Sequence, residues 1–542
     1  MHNHFPLVAI SGIILMEAVK ILSQVKDEGS FIMVEKQMSD LIAALQSTVA
    51  TQKSASDIEE DIAEQIREMA RLLFQGHLDA RGDGRVGLAV SGIDKVERTN
   101  LRLSKNNIKS IFGEVVDHRI GYSLPGHNSL FPKDAVLNLA DNSYSYGLHK
   151  KLAKEATRGS IDDAIACVEE QTGVTIPKRQ ALEIIKNASS DFDTFYHSDV
   201  SGITAELIEK LPLQILTTDG KGVVMRIDGL RDATREKRKQ SHTSDIARKR
   251  LAKGEKKNGK RMAQAASTYC IERHFRTAED IIKNLNSNIS LVTTDTKDPQ
   301  NKKVKKPQPV GKRVWASLEK DQGTVIDDMF NEASRRDVGK TKEWVGLIDG
   351  QKSQLQAMRN AAQKYDVPIT IIVDIIHVIE YIWQASLAFY AEGSLEREFW
   401  VNKKFLMILQ GKAVAVASGI KQSATKANLT EEKRKCVDTC ADYLYGLADY
   451  LKYDQYLSKG YPIATGVIEG VCRHLVKDRM DITGARWGLD GGEAILKLRS
   501  IVKSEDFEKY WEFHLQEEYK RNHESKYAEP KRLKNKGLML AT

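Results

Sequence analysis

Leu213-Gln214-Ile215-Leu216-Thr217-Thr218-Asp219-Gly220 is a short apolar run that closes on an acid. Two more runs of the same kind follow: Trp344-Val345-Gly346-Leu347-Ile348 closes on Asp349-Gly350, and Ile369-Thr370-Ile371-Ile372-Val373 closes on Asp374. Runs this short, rich in Ile and Val and each followed by a helical pattern, predict buried strands of an α/β sheet. Less regular runs around Val223-Val224-Met225 and from Ala265 to Ile271 predict antiparallel neighbours, which makes the sheet mixed. An acid at the end of a buried strand stands at the sheet rim, where open α/β sheets bind ligands.

Two such acids can hold a divalent cation. Phosphodiester cleavage and transfer by two-metal catalysis needs several carboxylates converging on Mg²⁺ ions that sit about 3.5–4 Å apart. Asp219-Gly220 and Asp349-Gly350 fit that need, yet Asp-Gly is also an ordinary turn pair. A phosphatase or phosphoacceptor domain would also place acids at strand ends and would use one as a nucleophile. The charge distribution favours nucleic acid. Between Arg226 and Arg261 stand fourteen Lys or Arg against five Asp or Glu, a local +9 that accounts for the whole net charge of +8. Arg235, Lys237, Arg238, Lys239, Arg248, Lys249, Arg250, Lys260 and Arg261 therefore follow the first acid as candidates for neutralising a nucleic-acid backbone, the bland reading being a solvated face.

A third candidate segment runs from Gly466 to Met480. If it is helical, Glu469, Arg473 and Lys477 stand four apart on one face, an acid beside cations able to hold phosphates. The same spacing also makes a plain surface salt bridge. Asp478 and Asp481 are rival acids on the segment.

The chain has 542 residues, enough for about three to five domains at roughly 100–200 residues each. With 41% hydrophobic and 29% charged residues, it is neither a mainly disordered chain nor a polytopic membrane protein. Five cysteines with no CxxC pair, and one left over, suit a reducing compartment, so the cytoplasm is expected. Cys436 and Cys440, at i and i+4, read as core packing and not as half a zinc site. The apolar start from Phe5 to Leu22 contains Glu17 and Lys20 and predicts an amphipathic packing helix, with no membrane partner.

Periodicity and turn signals divide the rest. Residues 1–88 predict helices, stopped by Arg81-Gly82-Asp83-Gly84; residues 89–145 predict short strands and loops. Residues 146–208 are helical again. There Ser160-Ile161-Asp162-Asp163 and Pro177-Lys178-Arg179 open two short helices that resemble a helix-turn-helix, or equally a small helical packing unit. Residues 209–394 carry the first part of the sheet with the basic segment 226–261. Residues 395–460 form a helical insertion, residues 461–504 hold the segment with the third acid, and residues 505–542 form a charged, solvated tail.

Several of these runs occur together in one order: Thr218-Asp219-Gly220-Lys221-Gly222-Val223, Lys260-Arg261-Met262-Ala263, Leu347-Ile348-Asp349-Gly350, the stretch from Val373 to Trp383, Gly466-Val467-Ile468-Glu469-Gly470, and Thr483-Gly484-Ala485-Arg486-Trp487. Over roughly residues 105 to 505 the chain thereby resembles the Kra-type insertion-sequence transposases, DDE enzymes with an RNase H-like catalytic core. Ser110-Ile111-Phe112-Gly113, Pro132-Lys133-Asp134-Ala135 and Tyr144-Ser145 are similar to the N-terminal pattern of that family.

The resemblance implies an α+β or α/β chain: an RNase H-like mixed-sheet core with a helical insertion, preceded by a mainly helical DNA-binding region. It assigns Asp219 to the first core strand, Asp349 to the fourth and Glu469 to the helix after the insertion, as ligands of two Mg²⁺ ions, with Mn²⁺ able to substitute. The implied reaction is cleavage of DNA strands at element ends and their transfer to target DNA. The implied partners are the terminal repeats, the target and further copies of the chain in a synaptic complex, in the bacterial cytoplasm or at the nucleoid. Asp374 and His377 are accessory candidates, falling where Mutator-like transposases carry Cys-x-x-His. The rival expectations are a metal-dependent nuclease without strand transfer, and a non-catalytic DNA-binding protein derived from a transposase.

Overall fold

A computed structural model describes residues 31–198, 208–241, 259–289, 306–482 and 484–528. The chain divides into two compact units, Met1–Ala188 with Trp511–Thr542, and Ser189–Tyr510.

In the first unit, helices α1 (Ile32–Leu45) and α2 (Ala55–Ala80) lie side by side. The start of α2 is set by a capping box, in which the Ser54 hydroxyl accepts from the Asp57 N–H and the Asp57 carboxylate accepts from the Ser54 N–H. A short ribbon of β1 (Val90–Ser91) and β2 (Glu97–Arg98) precedes an antiparallel sheet of β3 (Asn100–Ser110), β4 (Gly113–Leu124) and β5 (His127–Leu130), in the order β3-β4-β5. Leu78 of α2 packs against Ile108 and Val115 of this sheet.

Lys133, in the short helix α3 (Pro132–Leu137), is buried there with a purpose. Its ammonium lies 2.6 Å from the buried Asp117 carboxylate and donates to the carbonyls of Leu78 at 2.9 Å and His118 at 3.2 Å. One side chain thus joins helix, sheet and turn, because a buried cation must meet a counter-charge and fill its donor positions.

Three helices follow: α4 (Tyr146–Ala156), α5 (Ile161–Thr172) and α6 (Lys178–Ala188), each in contact with the other two. Ser160 and Asp163 form the capping box that opens α5. Gly173 closes it at φ +69°, a left-handed conformation suited to glycine. Leu148, Leu152, Val168, Ile176, Ile184 and Ile185 are buried, while Lys178, Arg179, Gln180 and Glu183 at the start of α6 are exposed.

The tail read as charged and solvated after about residue 505 requires correction. Phe507–Asn522 is a helix with Tyr510, Trp511, His514 and Glu518 buried, and the Tyr146 hydroxyl donates to Glu518 at 2.9 Å. The high charge density of the segment hides an aromatic face, which tertiary packing selects.

The second unit is built on a five-stranded mixed sheet of β6 (Leu213–Val224), β7 (Lys260–Ile271), β8 (Val310–Ser317), β9 (Glu343–Ile348) and β10 (Ile369–Val373). The spatial order is β10-β9-β6-β7-β8; β6, β7 and β8 are antiparallel neighbours, and β9 and β10 run parallel to β6. The central strand is buried over Leu213–Thr218, where it has a neighbour on both sides. Basic helix α7 (Asp232–Ser241) lies between β6 and β7 in sequence. Helices α8 (Gln322–Arg336), α9 (Lys352–Lys364) and α10 (Ile375–Ser386) follow β8, β9 and β10. Residues 395–460 hold α11 (Leu395–Leu409), α12 (Ala413–Lys426) and α13 (Glu431–Gly446). The chain then returns to the sheet through α14 (Gly466–Val471) and α15 (Leu489–Lys503), the latter packed on β8. Among the described residues, no helix is long and apolar enough to cross a membrane.

Candidate acidic site

Asp219 does not terminate its strand, as its run suggests. β6 continues to Val224, with Asp219 opposite Ala265 of β7, whereas pairing of β6 with β9 stops at Thr217 opposite Leu347. The strand therefore leaves the sheet on one side and goes on as a two-stranded arm with β7. Asp219 lies two residues beyond the last β6–β9 pair, level with Asp349, which is two residues beyond Leu347. Asp374 is level with both, because Val373 pairs with Ile348 and the Asp374 N–H donates to the Ile348 carbonyl at 2.8 Å. Parallel strands bring like ends together, so three acids from distant stretches of chain share one rim.

Their environments differ. Asp219 and Asp349 are half-buried; Asp374 is fully buried. Asp219 accepts from the Gly220 N–H at 2.6 Å, and Asp349 accepts from the Gln351 N–H at 2.9 Å, which leaves acceptor capacity on both carboxylates. Asp374 is spent on structure. One oxygen caps α10 by accepting from the Ile376 N–H at 2.8 Å, and the other accepts from the Thr465 N–H at 3.2 Å and from the Thr465 hydroxyl.

Thr465 immediately precedes α14, so this bond sets where the third acid begins its helix. Glu469 is exposed on α14, which packs on β6 and β7. Burial of part of its carboxyl, with the negative charge of Asp374 and Asp219 nearby, raises its pKa against the opposing pull of His377. His377, the other accessory candidate, lies on α10 with Nδ1 3.4 Å from the Glu380 carboxylate. Among the described residues, no ion pair neutralises Asp219, Asp349 or Glu469.

After α14 the backbone makes a wider, π-helical turn over Cys472–Lys477. Glu469, Arg473 and Lys477, four apart in sequence, are all exposed along this continuous helical stretch, while Ile468, Cys472, Leu475 and Val476 are buried. Cys472 is buried with its thiol hydrogen-bonded to Asp219; burial and that carboxylate push the thiol pKa well up. Arg473 and Lys477 are exposed. Asp478 is held below the ordinary carboxylate range by its bond to His474, Nδ1 to oxygen 2.8 Å, on the outer side of the segment.

The basic segment emerges from the far end of the β6–β7 arm, where Val224 faces Lys260. Lys237 and Lys260 are exposed, and Arg235 pairs with Asp232. Arg248, Lys249 and Arg250, with the side chains of Arg238 and Lys239, lie outside the described residues. Arg261 serves the fold: its guanidinium donates to the carbonyls of Leu318 at 2.6 Å and Gly229 at 3.1 Å. Trp487 laces the far end of the arm, its N–H donating to the Val224 carbonyl at 3.2 Å and its carbonyl accepting from the Arg226 N–H at 2.8 Å.

Sequence reasoning missed the residues that hold the acids' backbone. The Tyr443 hydroxyl donates to the Asp349 carbonyl at 3.0 Å while its ring stacks on Tyr381, centroids 3.9 Å apart. Gly350 follows at φ +90°, and a Cβ there would stand 2.7 Å from Leu447 and 3.0 Å from the Tyr443 hydroxyl, so glycine is required. Gln354, buried on α9, binds both strand ends. No local spacing marks these residues out.

An all-oxygen donor set of two half-buried carboxylates and one exposed carboxylate suits a hard cation that keeps several waters and takes further ligands from phosphate. The oxygens of Asp219, Asp349 and Glu469 do not all lie within 4.8 Å of one another. Compared with known proteins, the chain matches no family model and no curated protein.

Proposed function

We propose that this chain is a DDE transposase of an insertion sequence, cutting DNA strands at element ends and transferring them to target DNA through Asp219, Asp349 and Glu469. The observation that carries the reading is the level placement of Asp219 and Asp349 where β6 parts from β9, with Glu469, 120 residues beyond Asp349, on a helix packed on β6 and β7. A sheet with the acids on its first and fourth strands in chain order agrees with an RNase H-like core.

Asp219, Asp349 and Glu469 would hold two Mg²⁺ ions, which when bound supply an activated oxygen nucleophile and stabilise the leaving oxygen. The carboxylates act as ligands, and the reaction needs no covalent protein intermediate. Lys237 on α7 and Lys260 on the arm, with Arg473 and Lys477, offer charge to the phosphate backbone. The exposed start of α6, with Arg179 and Gln180, suits base readout in a groove. A homo-oligomeric synaptic complex in the bacterial cytoplasm or at the nucleoid completes the proposal.

The test uses DNA carrying the inverted repeats that flank the gene, incubated with the protein, Mg²⁺ and a target plasmid. Cleavage at the repeat ends with joined products supports a transposase. Cleavage without joining indicates a nuclease, and binding without cleavage a non-catalytic descendant.

A further inference from the structure

The ladder between β6 and β9 ends at Thr217 opposite Leu347. Continued by one step, the Asp349 N–H would bond directly to a carbonyl of β6. Instead the carboxamide of Gln354 stands between the strands: its Oε1 accepts from the Asp349 N–H at 3.1 Å, and its Nε2 donates to the Thr218 carbonyl at 3.0 Å. A carboxamide presents the same acceptor and donor as a peptide group, so it satisfies both strands while holding them one amide apart. Gln354 is 1% exposed, and among the described residues its carboxamide bonds to these two groups.

The two groups it binds belong to the acids' own backbone. One is the N–H of Asp349, and the other is the carbonyl of the peptide whose N–H is that of Asp219. Thr218 is fixed on its other side, its hydroxyl donating to the Ala265 carbonyl at 2.8 Å. Asp349 is fixed on its other side by Tyr443. The separation of the two acid-bearing residues is therefore set through one side chain.

We propose that Gln354 is a positioning residue that sets the spacing of the Asp219 and Asp349 carboxylates for a divalent cation. The inference rests on the metal-site reading above. Without the carboxamide, the strand ends would either close into a direct bond or part, and either change moves the two carboxylates relative to each other.

The experiment is titration of the full chain with Mn²⁺, followed by calorimetry and by the electron paramagnetic resonance of free Mn²⁺, alongside thermal unfolding in chelator. Gln354→Met keeps the shape of the side chain and loses both hydrogen bonds; it should weaken Mn²⁺ binding tenfold or more. In a cleavage assay it should raise the Mn²⁺ concentration for half-maximal rate more than it lowers the rate at saturation. Gln354→Glu keeps the acceptor for Asp349 and loses the donor to Thr218, and serves where the Met variant does not fold. A folded variant with a lowered melting temperature and Mn²⁺ affinity within twofold of the parent would overturn the proposal, leaving Gln354 a core residue. Absence of Mn²⁺ binding by the parent chain, or binding that survives Asp219→Asn and Asp349→Asn together, would overturn the metal-site reading and the spacing role with it.

Discussion

Asp374 accepts two hydrogen bonds from Thr465, 91 residues later, through one carboxylate oxygen, while its other oxygen caps the helix that begins at its own position. Both residues are buried. The strand end and the start of α14 are thereby one unit, and Glu469 stands four residues into the part so held.

Asp374→Asn should therefore act on stability and on Glu469, and not as loss of a metal ligand. The amide oxygen can still cap α10, but the amide NH₂ then meets the Thr465 donors, and a buried donor is left unpaired at a cost of about 1–3 kcal/mol. Thr465→Ser keeps the hydroxyl and should be close to neutral, while Thr465→Val should resemble Asp374→Asn. Urea unfolding of the three variants checks this; an Asp374→Asn protein of parental stability that has lost Mn²⁺ binding would make Asp374 a ligand.

The three proposed ligands should behave in the opposite way. Asp219→Asn, Asp349→Asn and Glu469→Gln should each abolish cleavage while leaving fold and affinity for element ends nearly intact. Mg²⁺ at 100 times its dissociation constant should stabilise the parent by about 2.7 kcal/mol and the variants by little. Asp478→Asn should stay active, since its carboxylate pairs with His474 on the outer side. Full cleavage by the Asp349 variant would exclude that acid.

Charge elsewhere in the second unit should set the acid limit of stability. Glu332 is buried with Arg336 at 2.7 Å and Arg313 at 3.0 Å, and Arg335 is also bound to it. Burial by itself would raise its pKa, but Arg336, Arg313 and Arg335 outweigh burial and hold it below the ordinary value of 4.5. Its contribution is thus fully present above pH 4.5 and is lost as pH falls through the lower folded value. Glu332→Gln should cost about 3–5 kcal/mol at pH 7 by stranding buried guanidinium groups. The difference from the parent should shrink in acid, as measured by urea midpoints across a pH series.

Replacing Lys237, Arg238 and Lys239 together by Ala should lower the slope of log affinity against log salt by up to about 2.7, at roughly 0.9 per phosphate contact, on both element-end and random duplexes. Arg261→Ala is the contrast. Its guanidinium is spent on two carbonyls, so stability should fall by about 1–3 kcal/mol with the slope unchanged. A triple variant with the parental slope would make this run a solvated face.

Strand-forming runs, capping boxes and acids are local, and a reader of the chain alone can find them. Ile and Val in short runs announced β9 and β10, Ser160 with Asp163 announced α5, and Asp219, Asp349 and Glu469 were visible as candidates. Other features were decided only by tertiary structure, because they depend on partners far away in sequence. Asp219 lies within a strand and not at its end because β7 continues beside β6 after β9 has left it. Asp374 is a structural clamp because Thr465 reaches it, and Arg261 is a brace because Leu318 and Gly229 turn carbonyls toward it. Gln354 serves the site through Thr218, 136 residues earlier, and the aromatic face of Phe507–Asn522 was masked by its charges. Local residue patterns specify which backbone shape is cheap, whereas the use of a buried polar side chain is determined by which donors and acceptors the assembled fold leaves without water.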